Sequence, residues 1–122
     1  MEEHRSTRQV GKDSEAAAAA YLKQQGMQIL EQNFYSRFGE IDIIAKDGDC
    51  LVFTEVKYRK NDSCGDPSEA VDYRKQKKIC KTALYYCRKQ GYEYEVSCRF
   101  DVITVSGDGT IWHLKNAFEY CG

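Results

Sequence analysis

The sequence predicts an α/β domain in the order αβββαββ, a central mixed β-sheet flanked by two α-helices. Three observations predict it. Helical patterns with start or stop signals occupy residues 7–25 and 67–91, two apolar runs meet at an Asp-Gly turn between them, and two more short apolar runs follow the second helix.

The first helix covers 7–25 and stops at Gly26, a residue suited to the left-handed conformation that closes a helix. Its five consecutive alanines blur the faces. Glu15 nevertheless lies in line with Gly11, Ala18, Ala19 and Leu22, a small-residue stripe suited to close packing on a sheet. A carboxylate on such a stripe is costly unless paired or metal-bound. Glu15 therefore either joins a site, or pairs with Lys12 or reaches solvent at the edge of the stripe. The order then needs one strand between Gly26 and Gly39.

Next come Gly39-Glu40-Ile41-Asp42-Ile43-Ile44-Ala45 and Leu51-Val52-Phe53-Thr54-Glu55-Val56-Lys57-Tyr58-Arg59, joined through Asp47-Gly48-Asp49. Asp-Gly between apolar runs is a strong hairpin signal. A turn at Asp47-Gly48 sets Asp42 opposite Phe53, and a turn at Gly48-Asp49 sets it opposite Glu55. Side chains alternate with period two, so both registers put Asp42, Glu55 and Lys57 on one face; a three-residue loop would separate them. Two carboxylates and an ammonium would then converge.

The segment 60–67 is polar and turn-rich, and reads as a mobile loop beside the hairpin that could gate a substrate. The second helix follows, with Asp66 as N-cap, Pro67 at the first helical position, Glu69 three residues after the cap and Gly91 as the stop. From Arg74 to Tyr92 it carries seven basic residues and no acidic one. At 100° per residue Arg74, Lys78, Lys81 and Arg88 share a face with Tyr85, while Ile79, Cys80, Ala83, Tyr86 and Cys87 lie on the other. The basic face reads as a solvated surface or as a phosphate-tracking one. Gln76 falls on the apolar side, where its amide needs a partner: the site lysine, a water or the core.

Residues 95–105 read as a strand with Arg99 and Asp101 on one face, either as a structural ion pair or as accessories of the site. A Gly107-Asp108-Gly109 turn and a last strand over 110–114 complete the order.

At 122 residues the chain can bury roughly two-thirds of its unfolded surface in a single domain, 1–122, with residues 1–6 expected to be flexible. Residues 1–5 have no apolar signal core, and 16–20 are too short to span a bilayer, so no membrane association and a cytoplasmic location are expected. Six cysteines without a Cys-x-x-Cys pair, and two histidines remote from any cysteine pair, argue for free thiols rather than disulfides or zinc. A net charge of -1 and a pI near 6.1 exclude indiscriminate coating of nucleic acid.

Asp42 and Glu55 are the hard oxygen ligands that Mg²⁺ or Mn²⁺ takes alongside water and phosphate oxygens. Lys57 could orient a water or stabilise developing charge, which is the logic of metal-dependent phosphodiester hydrolysis. A surface ion pair on a half-exposed hairpin is the competing reading.

The succession Gly11, Glu15, Ala16, Leu22, Gly26, Ile29-Leu30, Asn33-Phe34, Gly39-Glu40-Ile41-Asp42, Glu55-Val56-Lys57-x-Arg59, Arg99-Phe100-Asp101-Val102 and Asn116-Ala117-Phe118 resembles the YraN family of small bacterial proteins over nearly the whole chain. That family is assigned to the restriction-endonuclease-like superfamily with its PD-(D/E)xK site, and is similar to archaeal Holliday-junction resolvases in its helix Glu, hairpin Asp and Glu-x-Lys. The resemblance implies a restriction-endonuclease-like core, with Asp42, Glu55 and Lys57 as the catalytic set and Glu15 as an additional carboxylate. No proline precedes Asp42 here; Glu-Ile-Asp is the form this family itself shows.

The resulting expectation is a Mg²⁺- or Mn²⁺-dependent endonuclease acting on DNA, including structured or branched DNA. Asp42, Glu55 and Glu15 would be metal ligands and Arg59, Arg74, Lys78, Lys81 and Arg88 DNA contacts, with Gln76 and Glu40 as accessories. No small-molecule cofactor is expected, and a homodimer is compatible with the sequence. The alternative is a non-catalytic nucleic-acid-binding module with the same fold, and a third is a structural role in which the acidic cluster is a relic.

Overall fold

A computed structural model describes residues 7–60, 71–92 and 96–121. Its elements are α1 (Thr7–Gln24), β1 (Gln28–Ser36), β2 (Gly39–Asp47), β3 (Cys50–Arg59), α2 (Tyr73–Gln90), β4 (Ser97–Ser106) and β5 (Ile111–Phe118). The order is αβββαββ, and the class is α/β. The expectations for residues 1–6, for the loop 61–67 and for a helix start at Asp66, Pro67 and Glu69 lie outside the described residues.

The strands form one sheet in the order β1-β2-β3-β4-β5. Neighbours are antiparallel except β3 and β4, which run parallel because α2 lies in the connection between them. Alternation sends successive residues to opposite layers. Ile44, Leu51, Phe53, Phe100 and Val102 pack with Ile79, Cys80, Ala83 and Tyr86 of α2. Ile43, Ala45, Val52, Ile103 and Val105 pack with Ala18, Ala19 and Leu22 of α1. The small-residue stripe of α1 thus lies on the sheet, and the two helices cover opposite faces.

The helix boundaries follow local chemistry. Gly26 (φ 92) and Gly91 (φ 80) both take the left-handed conformation, and the Tyr92 N–H donates to the Cys87 carbonyl, closing α2 with a Schellman-type turn. At its other end Asp72 is the N-cap, its carboxylate accepting the Lys75 N–H at 2.9 Å. The helix thus begins at Tyr73, six residues later than the Pro67 start expected from the Asp66-Pro67 signal.

The hairpin turns at Gly48-Asp49, since Asp47 pairs with Cys50 and Ile43 with Thr54. Gly48 supplies the positive φ (62°) at the first central position, the pattern of a type II′ turn. The β2–β3 register stops at Ile43, one residue short of Asp42. On the other side of β2, Gln32 pairs with Ile43 and Phe34 with Ile41, which leaves Asn33 (φ 54) facing Asp42. Alternation breaks there: Ile41 packs in the α2 layer and Ile43 in the α1 layer. Asp42 lies between these two residues.

Beyond the Gly107-Asp108-Gly109 turn, β5 runs four residues further than the 110–114 expected. The extension brings Phe118 onto Phe100, stacked at 5.0 Å between centroids.

Candidate active site

At the end of β3 a pocket of about 250 Å³ is lined by Gly11, Ser14 and Glu15 of α1, Glu40 and Asp42 of β2, Glu55 to Tyr58 of β3, and Lys75 of α2. Four elements therefore supply it. A larger, mainly apolar cavity of about 620 Å³ is lined by Phe53, Phe100, Phe118 and Tyr120 and lacks a carboxylate pair.

Asp42 and Glu55 are 9% and 6% exposed, so two carboxylates lie buried in one pocket. The Asp42 Oδ2 accepts the Val56 N–H at 2.8 Å, and the side chain thereby takes over where the backbone ladder ends. Burial and the neighbouring Glu55 charge push the Asp42 carboxyl up to about 7, against the Val56 hydrogen bond, which favours the charged form. Glu15 and Glu40 add to the same repulsion.

Glu55 is held by two ammonium groups. Lys57 Nζ lies 3.3 Å from Glu55 Oε2, and Lys75 Nζ makes a close ion pair with that same oxygen. Burial and the adjacent Lys75 lower the Lys57 pKa, and Glu55 opposes the shift. Burial works against the Lys75 charge too, but its contact with Glu55 outweighs this and its pKa is raised.

Asp42, Glu55, Lys57, Glu15 and Glu40 are thus brought to one pocket. The β2–β3 register, Ile43 against Thr54, carries Asp42 and Glu55 to the same side of the hairpin, with Lys57 two residues beyond Glu55. Arg59 stands at the last position of β3, paired with Ser106, and does not line the pocket. Arg74, Lys78, Lys81 and Arg88 are exposed along α2, with Tyr85 exposed among them. Gln76 turns away from the site: its Nε2 donates to the Val71 carbonyl at 3.1 Å, tying α2 to the residue before its cap. Lys75, by contrast, belongs to the site, and sequence reasoning counted it only among the basic residues of the helix. The signal that could have found it is the Asp72 cap, which makes Lys75 the third residue of the helix and turns it toward the end of β3.

Two carboxylates flanked by lysines fit a hard divalent cation of the kind that keeps several waters and is completed by substrate oxygens. Among the described residues no three His, Cys, Asp or Glu side chains form a closed metal cage, so Glu15 lines the pocket without completing a three-ligand cluster. Among those residues, too, no helix is long and apolar enough to cross a membrane.

The model of the uncharacterised protein family UPF0102 matches residues 14–105. A UPF0102 protein of Thermodesulfovibrio yellowstonii is 50% identical over 110 residues, covering 90% of this chain and 96% of that protein. One from Persephonella marina is 44% identical over 109 residues, covering 89% and 92%. Another, from Clostridium botulinum, is 45% identical over 121 residues, covering 95% and 98%.

Proposed function

The chain belongs to the uncharacterised protein family UPF0102 (the YraN family), and from that premise we propose that it is a metal-dependent endonuclease that hydrolyses DNA phosphodiester bonds, acting in the cytoplasm. The observation that carries the reading is the burial of Asp42 and Glu55 in one pocket with Lys57 against the second carboxylate. Two buried like charges are unfavourable in a structural role, because hydrophobic residues of similar size fill such space at lower cost.

In this reading Asp42 and Glu55 hold Mg²⁺ or Mn²⁺, which when bound supplies charge neutralisation at the phosphate and an acidified water. The Val56 N–H fixes the Asp42 carboxylate through its Oδ2. Lys57, fixed two residues beyond Glu55 on β3, orients the attacking water or stabilises the charge that builds on the phosphate. Its lowered pKa makes it a readier proton donor than a solvated lysine. Glu15 and Glu40 extend the negative lining on either side. The exposed Arg74, Lys78, Lys81 and Arg88 follow the phosphate backbone away from the site, with Arg59 at its edge.

The second reading is a nucleic-acid-binding module that does not hydrolyse its ligand; the basic face of α2 favours it equally. Cleavage assays on linear, single-stranded and branched DNA with Mg²⁺ or Mn²⁺ separate the two. The endonuclease reading expects cleavage that EDTA, Asp42→Asn and Glu55→Gln each abolish. DNA binding without cleavage under either metal selects the module.

A further inference from the structure

We propose that Lys75 and a divalent cation alternate on Glu55, the lysine holding the carboxylate in the metal-free protein and swinging out when metal enters. The inference rests on the metal-dependent reading above and adds a residue to it. Lys57 and Lys75 place two positive charges on a single oxygen, Glu55 Oε2, in a pocket whose other charged linings are the carboxylates of Asp42, Glu15 and Glu40. A divalent cation delivers the same two charges from one point. The oxygen that two ammonium groups share is not free to bind it, so one of them has to leave.

Geometry selects which one. Lys57 is two residues from Glu55 on the same strand, and its side chain is 28% exposed. Lys75 reaches the oxygen from a different element on a flexible four-carbon stem and is 42% exposed, so solvent is open to it. It is also the third residue of α2, in a first turn with no acidic side chain. The helix dipole disfavours a cation there, and Glu55 is the ion-pair partner that holds it in place. Metal on Glu55 removes that hold.

Isothermal titration of the full chain with MnCl₂ tests the exchange, comparing the parent with Lys75→Met and with Lys75→Gln, a second variant should the first fail to fold. Removing the competitor is expected to tighten Mn²⁺ binding about tenfold in either variant. It should also lower the Tm of the metal-free protein and close that gap when Mn²⁺ is added. A Lys75 with a merely structural role would lower the Tm with and without metal and leave the Kd unchanged. An unchanged or weaker Kd in the folded variants, with Mn²⁺ still bound by the parent, overturns this inference alone. Absence of Mn²⁺ binding in all three proteins overturns it together with the metal-dependent reading. Tighter binding in the variants of a parent that cleaves no DNA supports the exchange and removes only the hydrolysis.

Discussion

His113 Nε2 lies 2.7 Å from Asp101 Oδ2, joining β5 to β4 through a carboxylate that is fully buried. Asp101 has further partners: Arg99 Nε donates to both its oxygens at 3.1 and 3.2 Å, and the Asn116 N–H donates at 2.9 Å. Tyr21 of α1 reaches the other ring nitrogen of His113 at 3.1 Å, and Arg99 continues to Asp47 at 3.0 Å. The network links α1, β2, β4 and β5 without entering the pocket that holds Asp42 and Glu55.

Asp101→Asn is expected to cost about 3–5 kcal/mol, because it leaves Arg99 and His113 without the buried charge that satisfies them. Burial alone would raise the Asp101 pKa, but His113, the Asn116 N–H and Arg99 outweigh it and lower it. A depressed carboxylate contributes stability that is present above its unfolded pKa of roughly 3.9 and is lost as the pH falls below that value. Urea denaturation between about pH 2 and 7 should show a parent that loses stability below about pH 4 more steeply than the variant. Equal acid sensitivity would mean that Asp101 is not the titrating anchor.

Salt dependence tests the basic face of α2. If Arg74, Lys78, Lys81 and Arg88 each neutralise one phosphate, log K for duplex DNA should fall with log salt at a slope of roughly -3.6. The double substitution Lys78→Gln and Lys81→Gln should reduce that slope by about half and weaken binding alike on all sequences. A double variant with the parent slope would show that DNA lies elsewhere.

The five described cysteines are free, and Cys80 Sγ and Cys121 Sγ, 3.6 Å apart, make a thiol contact rather than a bond. Dithiothreitol should therefore leave the Tm unchanged. A fall of several degrees would reveal a disulfide that contributes to the fold.

The element order was legible because strong local signals agree with the tertiary structure: Asp-Gly at the hairpin, Gly26 and Gly91 at the helix ends, and the apolar runs of β2 and β3. The start of α2 was not legible from capping patterns alone. Asp66-Pro67-x-Glu69 is the richer capping pattern, yet Asp72 caps α2 at the point where Val71 packs into the core and Gln76 ties back to it. That choice also hid Lys75, whose place on Glu55 depends on how α2 is docked rather than on spacing. Asn33 and Asn116 were opaque for a related reason. Each takes φ 54 within a strand, one facing Asp42 and the other donating its N–H to Asp101, and a polar residue in such a segment reads as a strand end. β5 continues through Asn116 to Phe118, past the expected end at Leu114.

Asp42 gives the sharpest separation of a functional carboxylate from a structural one. Its folded pKa is raised to about 7 by burial and by Glu55, above an unfolded value near 3.8. Between those two values the folded chain holds a proton that the unfolded chain has released, so stability should fall as the pH rises from about 4 to 7 and level off above. Asp42→Asn removes this titration while keeping a side-chain oxygen to accept the Val56 N–H. In EDTA the variant is expected to show a flatter stability profile across that window and to exceed the parent at pH 8 by about 1 kcal/mol, as for a site that gives up stability for function. Mn²⁺ should raise the Tm of the parent and leave the variant unmoved. Urea denaturation at several pH values, with and without Mn²⁺, checks each part. A variant less stable than the parent at pH 8 in EDTA, with no Mn²⁺ shift in either protein, would make Asp42 an anchor of the fold rather than a metal ligand.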